Sequence, residues 1–196
     1  MNWNMPKIDP KEIAFDIDGV FADTIGAFIQ EARIKYGIKI RYEDIREYDL
    51  VKVVNMDEKI LLKLAKKILY EPLEMGIKPI NGAVEVLKKL SKKSRLLFVT
   101  ARPYKEGIQK WVLNHLKDVD NSLIHIVATG THEDKVSWLR DYGIKYFVED
   151  RLETCFILKN ASIIPIVFEQ PWNKKPHPFL KVRNWRELER MIDLSG

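Results

Sequence analysis

Apolar positions along the chain switch between two rhythms. Ile13-Ala14-Phe15 is a short continuous run that breaks into Asp16-Ile17-Asp18-Gly19, the pattern of a buried strand ending in a turn. Leu96-Leu97-Phe98-Val99, Leu123-Ile124-His125-Ile126-Val127 and Tyr146-Phe147-Val148 read the same way. A fifth run, Ile163 to Phe168, contains Pro165, which cannot donate to a central ladder and so predicts a sheet edge. Between these runs the period lengthens. Ala83, Val86, Leu87 and Leu90 recur at helical spacing behind Asn81, an expected cap, and Ile108, Trp111, Val112 and Leu116 form a second stripe. Residues 133–142 predict a helix closed by Gly143, and Asn184 with Glu187 predicts a capped final helix carrying Leu188, Met191 and Ile192. Strands alternating with helices imply an α/β fold with a parallel sheet covered on both faces.

One interval breaks the alternation. About 79 residues separate the first strand from the second, far more than a crossover helix needs. The interval is itself helical. Ile25, Phe28, Ile29 and Ala32 make one stripe ended at Gly37, and Leu61, Leu64, Ala65 and Ile68 make another stopped by Pro72. The expected division is a body of residues 1–22 and 78–196 with a helical cap of residues 23–77. The cap leaves the sheet at the carboxyl end of the first strand, where open parallel sheets place their ligands.

Composition narrows the class. Hydrophobic residues make up 46% and charged residues 31%, ordinary for a water-soluble domain. No stretch approaches the ~18 apolar residues of a membrane span. The opening MNWNMPKIDPKE lacks the apolar centre of a signal peptide, so a cytoplasmic location is expected. Cys155, the one cysteine, excludes an intrachain disulfide and lies in an apolar run as a core thiol. The net charge of +5 owes much to Lys88, Lys89, Lys92, Lys93 and Arg95, at the end of a predicted helix. Cations there complement the helix dipole, and no aromatic residues interleave them, so no nucleic-acid polymer is expected as a partner.

Four chain segments carry candidate chemistry. Asp16 and Asp18 stand two apart at a strand end, where the strand period aims both side chains the same way. Paired buried carboxylates need a cation or a shared proton, and magnesium is the oxygen-seeking choice. Thr100 follows the second strand, Glu149-Asp150 follows Tyr146-Phe147-Val148, and Lys135 opens a helix between them. In a parallel sheet these strand ends share one edge, so the groups converge on Asp16. A nucleophile, carboxylates for a metal, a hydroxyl and an ammonium are what phosphoryl transfer requires. Singly, Asp-Gly is a common turn, Thr a common strand-end residue and Lys a common surface residue. His115, His125, His132 and His177 show no ligand spacing.

The order Asp-x-Asp-Gly-Val, apolar strand plus Thr, Lys, apolar strand plus Glu-Asp resembles the four motifs of the haloacid dehalogenase (HAD) superfamily. More narrowly, Phe15 to Thr24, Val99-Thr100-Ala101-Arg102-Pro103, Glu149-Asp150-Arg151 and the tail Phe168-Glu169-Gln170-Pro171-Trp172-Asn173 resemble the cytosolic-type 5′(3′)-deoxyribonucleotidases. Glu149 departs from their usual Asp. The resemblance implies a HAD-like Rossmannoid three-layer core with a small cap, and a magnesium-dependent phosphomonoester hydrolase. In it Asp16 is the nucleophile, Asp18 the acid–base group, and Thr100, Ala101 and Lys135 the phosphate site. Magnesium sits on Asp16, the Asp18 backbone carbonyl and Asp150, with Glu149 behind. The implied partner is a small phosphorylated substrate, a (deoxy)nucleoside monophosphate before a sugar phosphate, with homodimer assembly left open. A catalytically idle anion-binding protein is the competing class, and the retained carboxylates, Thr100 and Lys135 argue against it. Phe21, Phe28, Tyr36, Tyr42, Tyr48 and Tyr70 read mainly as core, Trp172 and Asn173 as structural, and Arg102 and Arg151 as partners of either phosphate or carboxylate.

Overall fold

The computed structural model describes residues 7–195, without the side chain of Lys52. Most of the amino-terminal stretch read above for a signal peptide lies outside the described residues. Six parallel strands run β1 (Ile13–Phe15), β2 (Leu96–Thr100), β3 (Ile124–Ala128), β4 (Tyr146–Glu149), β5 (Ile164–Phe168) and β6 (Leu180–Val182). Their spatial order is β3-β2-β1-β4-β5-β6. The chain builds outward from β1 to one side, then returns to place β4 on the other. That reversal is the topological switch point, and it puts the ends of β1 and β4 side by side.

Alternation along the strands sorts the core into two layers. Ile13, Phe15, Leu96, Phe98, Val148 and Ile166 face one cluster with helices α3 (Ala83–Ser91), α4 (Glu106–His115) and α7 (Trp185–Met191). Ala14, Leu97, Val99 and Phe147 face a second with Leu139 of α5 (Lys135–Asp141) and Leu158 of α6 (Leu152–Asn160). The three-layer α/β expectation holds. Helices α1 (Thr24–Tyr36) and α2 (Glu58–Tyr70) occupy the long interval, and α1 ends at Gly37 in a left-handed conformation, as its sequence requires. Their buried stripes, Ala27, Phe28 and Ala32 with Leu61, Leu64 and Ile68, join the first cluster. Among the described residues no helix is long and apolar enough to cross a membrane.

Three local expectations need correction. Pro165 is not on an edge strand, because β6 lies outside β5. Ile164 N–H donates to Lys145 O on the β4 side, so the neighbouring position faces away from β4. Pairing with β6 starts only at Ile166, so the missing proline donor leaves no partner unmet. β6 itself, a three-residue strand, was not legible. Asn81 does not cap α3; Gly82 does, at φ 83°, without a side-chain bond. Asn184 does cap α7, accepting from Glu187 N at 3.0 Å, but Glu187 reaches back to Arg183 N rather than to the cap residue. Cys155 is buried, and Lys88 and Lys89 pair with Asp118 and Glu189 on the surface.

Trp185 joins the tail to the first motif. Its ring packs at a tilt against Phe15 and Phe168, and its Nε1–H donates to Val20 O at 2.8 Å. Trp185→Phe keeps most of the apolar body but leaves that buried carbonyl unmet. Urea unfolding should show a loss of ~1–3 kcal/mol with the fold retained; an unchanged midpoint would mean the bond contributes nothing.

Candidate active site

The backbone after β1 sets the geometry. Asp16 N–H donates to Val148 O at 2.9 Å, which extends the sheet one residue and fixes the first carboxylate beside the end of β4. The chain then folds back, with Phe21 and Ala22 N–H both donating to Ile17 O. Gly19 turns this loop at φ 72°, and a Cβ on it would stand 2.0 Å from Asp150 Oδ2. No other residue type fits both demands.

Lys135, fully buried at the start of α5, is the hub. Its Nζ lies 3.1 Å from Asp16 Oδ1 and 2.8 Å from Glu149 Oε2. Glu149 spends its other oxygen on the backbone, accepting from Asp150 N at 3.0 Å and Arg151 N at 3.1 Å. Asp150 is held from the tail. Trp172 Nε1–H donates to its Oδ2 at 3.0 Å, and Asn173 Nδ2 donates to its carbonyl at 2.8 Å. Gln170 completes the brace by donating to Gly19 O at 2.7 Å while Tyr42 O–H donates to its Oε1. Asp18 lies apart from this cluster, with Arg102 Nε and Nη2 on its two oxygens at 2.8 and 2.7 Å and Thr24 Oγ1 at 2.5 Å.

Electrostatics divide the carboxylates. Burial pushes the Asp16 carboxyl well above its ordinary range, against Lys135, with Glu149 and Asp18 adding to the rise. Burial, then Glu149 and Asp16, raise Asp150 in the same way. Burial also opposes the Asp18 charge, but the Arg102 guanidinium and the Thr24 hydroxyl outweigh it and bring the group below its usual value. For Glu149 burial loses to Lys135 and the bonds from Asp150 and Arg151. Lys135 stays charged despite burial, because Asp16 and Glu149 raise it.

These shifts describe a site short of positive charge. Asp16, Glu149 and Asp150 offer oxygens within 4.8 Å of one another, and Lys135 is the ammonium among them. Two buried oxygens, Asp16 Oδ1 and Asp150 Oδ1, have no hydrogen-bond donor among the described residues, although Lys135 Nζ stands in ion-pair range of the first at 3.1 Å. An all-oxygen set with two open carboxylate positions fits a hard divalent cation such as magnesium, which takes one or two carboxylates and keeps water. Glu149 has no such open oxygen, since Lys135 and two backbone amides take both of its oxygens.

Thr100 and Ala101 reach the same space. A cavity of about 670 Å³ opens from Asp16 and Asp18, past Thr100, Ala101 and Asp150, toward Phe28, Leu61 and Ile68. Lys135 is sealed beneath it. Phe21 and Phe28 are core, as expected, while Tyr48 lines the cavity under the Arg151 guanidinium, 5.2 Å from its ring centre. Arg102 pairs with carboxylate, and Trp172 and Asn173 brace Asp150. Sequence reasoning missed Thr24, Gln170 and His132. The first two lie within the stretches quoted above after β1 and β5, which was the available signal. His132 lies just ahead of α5, lines the cavity, and gave none.

Six parallel strands ordered 3-2-1-4-5-6, with carboxylates at the ends of the two central ones, make a HAD-like α/β fold. Solved HAD-superfamily structures share this fold. A subfamily IA hydrolase from Geobacter sulfurreducens superposes with TM-score 0.61 at 20% identity, covering 92% of this chain and 95% of that one. The HAD-hydrolase YfnB from Bacillus subtilis, solved with bound magnesium, gives 0.60 at 15% identity, covering 96% and 99%. The chain belongs to the family described as 5′ nucleotidase, deoxy (Pyrimidine), cytosolic type C protein, whose model matches residues 11–195. It is 24% identical over 186 residues to the 5′(3′)-deoxyribonucleotidase of Bacillus subtilis, spanning 93% of this chain and 98% of the relative. A nucleotidase of Clostridium acetobutylicum is 25% identical over 183 residues, spanning 92% and 93%. The chain is thus an enzyme of the nucleotidase and phosphatase class.

His132 supplies a test of this electrostatic setting. Burial, then Lys135 and Arg151, lower its pKa to about 4, so it is neutral at pH 7. The unfolded chain takes up that proton near 6.5, so its contribution to stability is present above 6.5 and lost as pH falls toward 4. Urea unfolding at pH 7 and pH 5 should show wild type losing ~1 kcal/mol more than His132→Gln, after discounting for partial exposure. Parallel losses would place the imidazole in water.

Proposed function

We propose that the protein is a magnesium-dependent phosphomonoester hydrolase acting through an aspartyl-phosphate on Asp16, with (deoxy)nucleoside monophosphates as substrates. The observation that carries this reading is the pair of open buried oxygens on Asp16 and Asp150 beside Lys135. Magnesium, when bound, would neutralise the carboxylates and the phosphoryl oxygens facing them. Asp16 Oδ1 and Asp150 Oδ1 would hold it. The Asp18 side chain is occupied by Arg102 and Thr24, so any share Asp18 takes falls to its backbone carbonyl, in keeping with the resemblance.

Asp16 attacks phosphorus in line as the ester P–O bond breaks, and the leaving oxygen takes a proton from Asp18. The Asp18 carboxylate, ionised while Arg102 and Thr24 hold it, first picks that proton up from the acidic P–OH of the entering monoester. Asp18 then removes a proton from the water that cleaves the aspartyl-phosphate. Thr100 and Ala101 border the phosphoryl group, and Lys135 holds Asp16 in place. Unaided hydrolysis of such esters is among the slowest reactions known, with accelerations up to ~10²¹-fold, so several charged groups must act together. Residues 23–77 serve as a cap, and Ile25, Phe28, Leu61, Ala65 and Ile68 give the cavity an apolar wall suited to a base better than to a sugar alone. Family membership supports the same substrate class.

Asp16→Asn should lower turnover by at least ~10³-fold with the circular-dichroism spectrum unchanged. Near-normal rates from a metal-replete variant would remove Asp16 as nucleophile. In a panel of phosphomonoesters, nucleoside 5′-monophosphates should lead, and EDTA should abolish turnover until magnesium is restored. Activity confined to sugar phosphates would refute the nucleotidase reading and spare the phosphatase one.

A further inference from the structure

His132 lines the cavity but takes no part in the chemistry above. It stands on the loop between β3 and α5, which is pinned on both sides of it. Thr129 N–H donates to Thr100 O and Gly130 N–H to Arg102 O, while Thr131 Oγ1 donates to Asp134 Oδ2 at 2.7 Å. The ring itself is fixed twice. Its Nδ1 shares a hydrogen bond of 3.3 Å with the hydroxyl of Thr154, a fully buried residue of α6. The Tyr48 ring packs against it edge to face, with centres 5.8 Å apart. Nε2, on the other side of the imidazole, has no partner among the described residues.

What this open nitrogen can bind follows from its surroundings. Burial, then the charges of Lys135 and Arg151, keep the imidazole neutral at pH 7, so it offers one donor and one acceptor rather than a cation for phosphate. Within the same cavity Asp16 marks the phosphoryl end, and Phe28, Leu61 and Ile68 give apolar contact for a base. The part of a nucleotide between those ends is the sugar. A 2′-deoxynucleoside 5′-monophosphate has one free sugar hydroxyl, at C3′. A hydroxyl both donates and accepts, so it satisfies Nε2 in either tautomer of the ring.

We propose that His132 is a substrate-binding residue whose Nε2 hydrogen-bonds the sugar 3′-hydroxyl, with Thr154 as the positioning residue behind it. The inference rests on the nucleotidase reading and adds the group by which the site tells a nucleotide with that hydroxyl from one without it.

The test compares kcat/KM for a 2′-deoxynucleoside 5′-monophosphate and for the 2′,3′-dideoxy compound with the same base. Wild type should prefer the first ~10-fold, the worth of one hydrogen bond between neutral groups. His132→Asn can keep the Thr154 contact but falls short of the Nε2 position, and should erase the preference. His132→Gln, whose amide reaches that position, should restore part of it. Thr154 does not line the cavity, and Thr154→Val should cut the preference about threefold by freeing the ring. A wild type indifferent to the hydroxyl would overturn the proposal. So would His132→Asn slowing both nucleotides equally, which is what a merely structural histidine predicts. Should His132→Asn not fold, Thr154→Val decides, and an unchanged preference there overturns it. Wild type active on p-nitrophenyl phosphate but on neither nucleotide would instead remove the nucleotidase reading, and this inference with it.

Discussion

Three buried carboxylates gathered around one ammonium govern the design of this protein. Asp16, Glu149 and Asp150 cannot all remain ionised so close together and so deeply buried on the strength of Lys135 alone. Glu149 resolves its share through Lys135 and two backbone amides. Asp16 and Asp150 keep open oxygens and raised pKa values. The fold holds them in this unfavourable state, and a hard cation, bound as proposed, would relieve it.

Holding like charges together requires rigid support from several directions. The Asp16 backbone is stitched to β4, Gly19 lets the loop pass beside Asp150, and Trp172 and Asn173 clamp Asp150 from beyond β5. Each support comes from the carboxyl end of a strand in one parallel sheet. The topology makes this economical, because β1 and β4 are neighbours at the point where the winding direction reverses.

The helical insertion adds something of a different kind. It walls the cavity with aliphatic side chains and holds Asp18 through Thr24 directly and through Arg102 at one remove. The two aspartates therefore answer to different parts of the molecule. Asp16 is fixed by the sheet, and Asp18 by the helices above it. Division of this sort suits the reaction proposed above, in which the nucleophile would stay put while the acid–base group serves two successive oxygens.

The sequence by itself determined the layered α/β class, the helical insertion and the convergence of Asp16, Asp18, Thr100, Lys135 and Asp150. Each rests on local rules: hydrophobic period, strand direction, and the meeting of parallel strand ends along one edge. Local rules erred at Pro165 and Asn81. Whether a proline is tolerated depends on which neighbour its nitrogen faces, and whether a helix is capped by side chain or by backbone depends on the approach of the loop. Only the tertiary structure decided that Lys135 is sealed between Asp16 and Glu149, that Arg102 spends its fork on Asp18 and α2, and that Gln170, Trp172 and Asn173 brace the site. Those pairings join residues far apart in the chain. Their charge states follow from burial and distance in three dimensions, which no spacing along the sequence encodes.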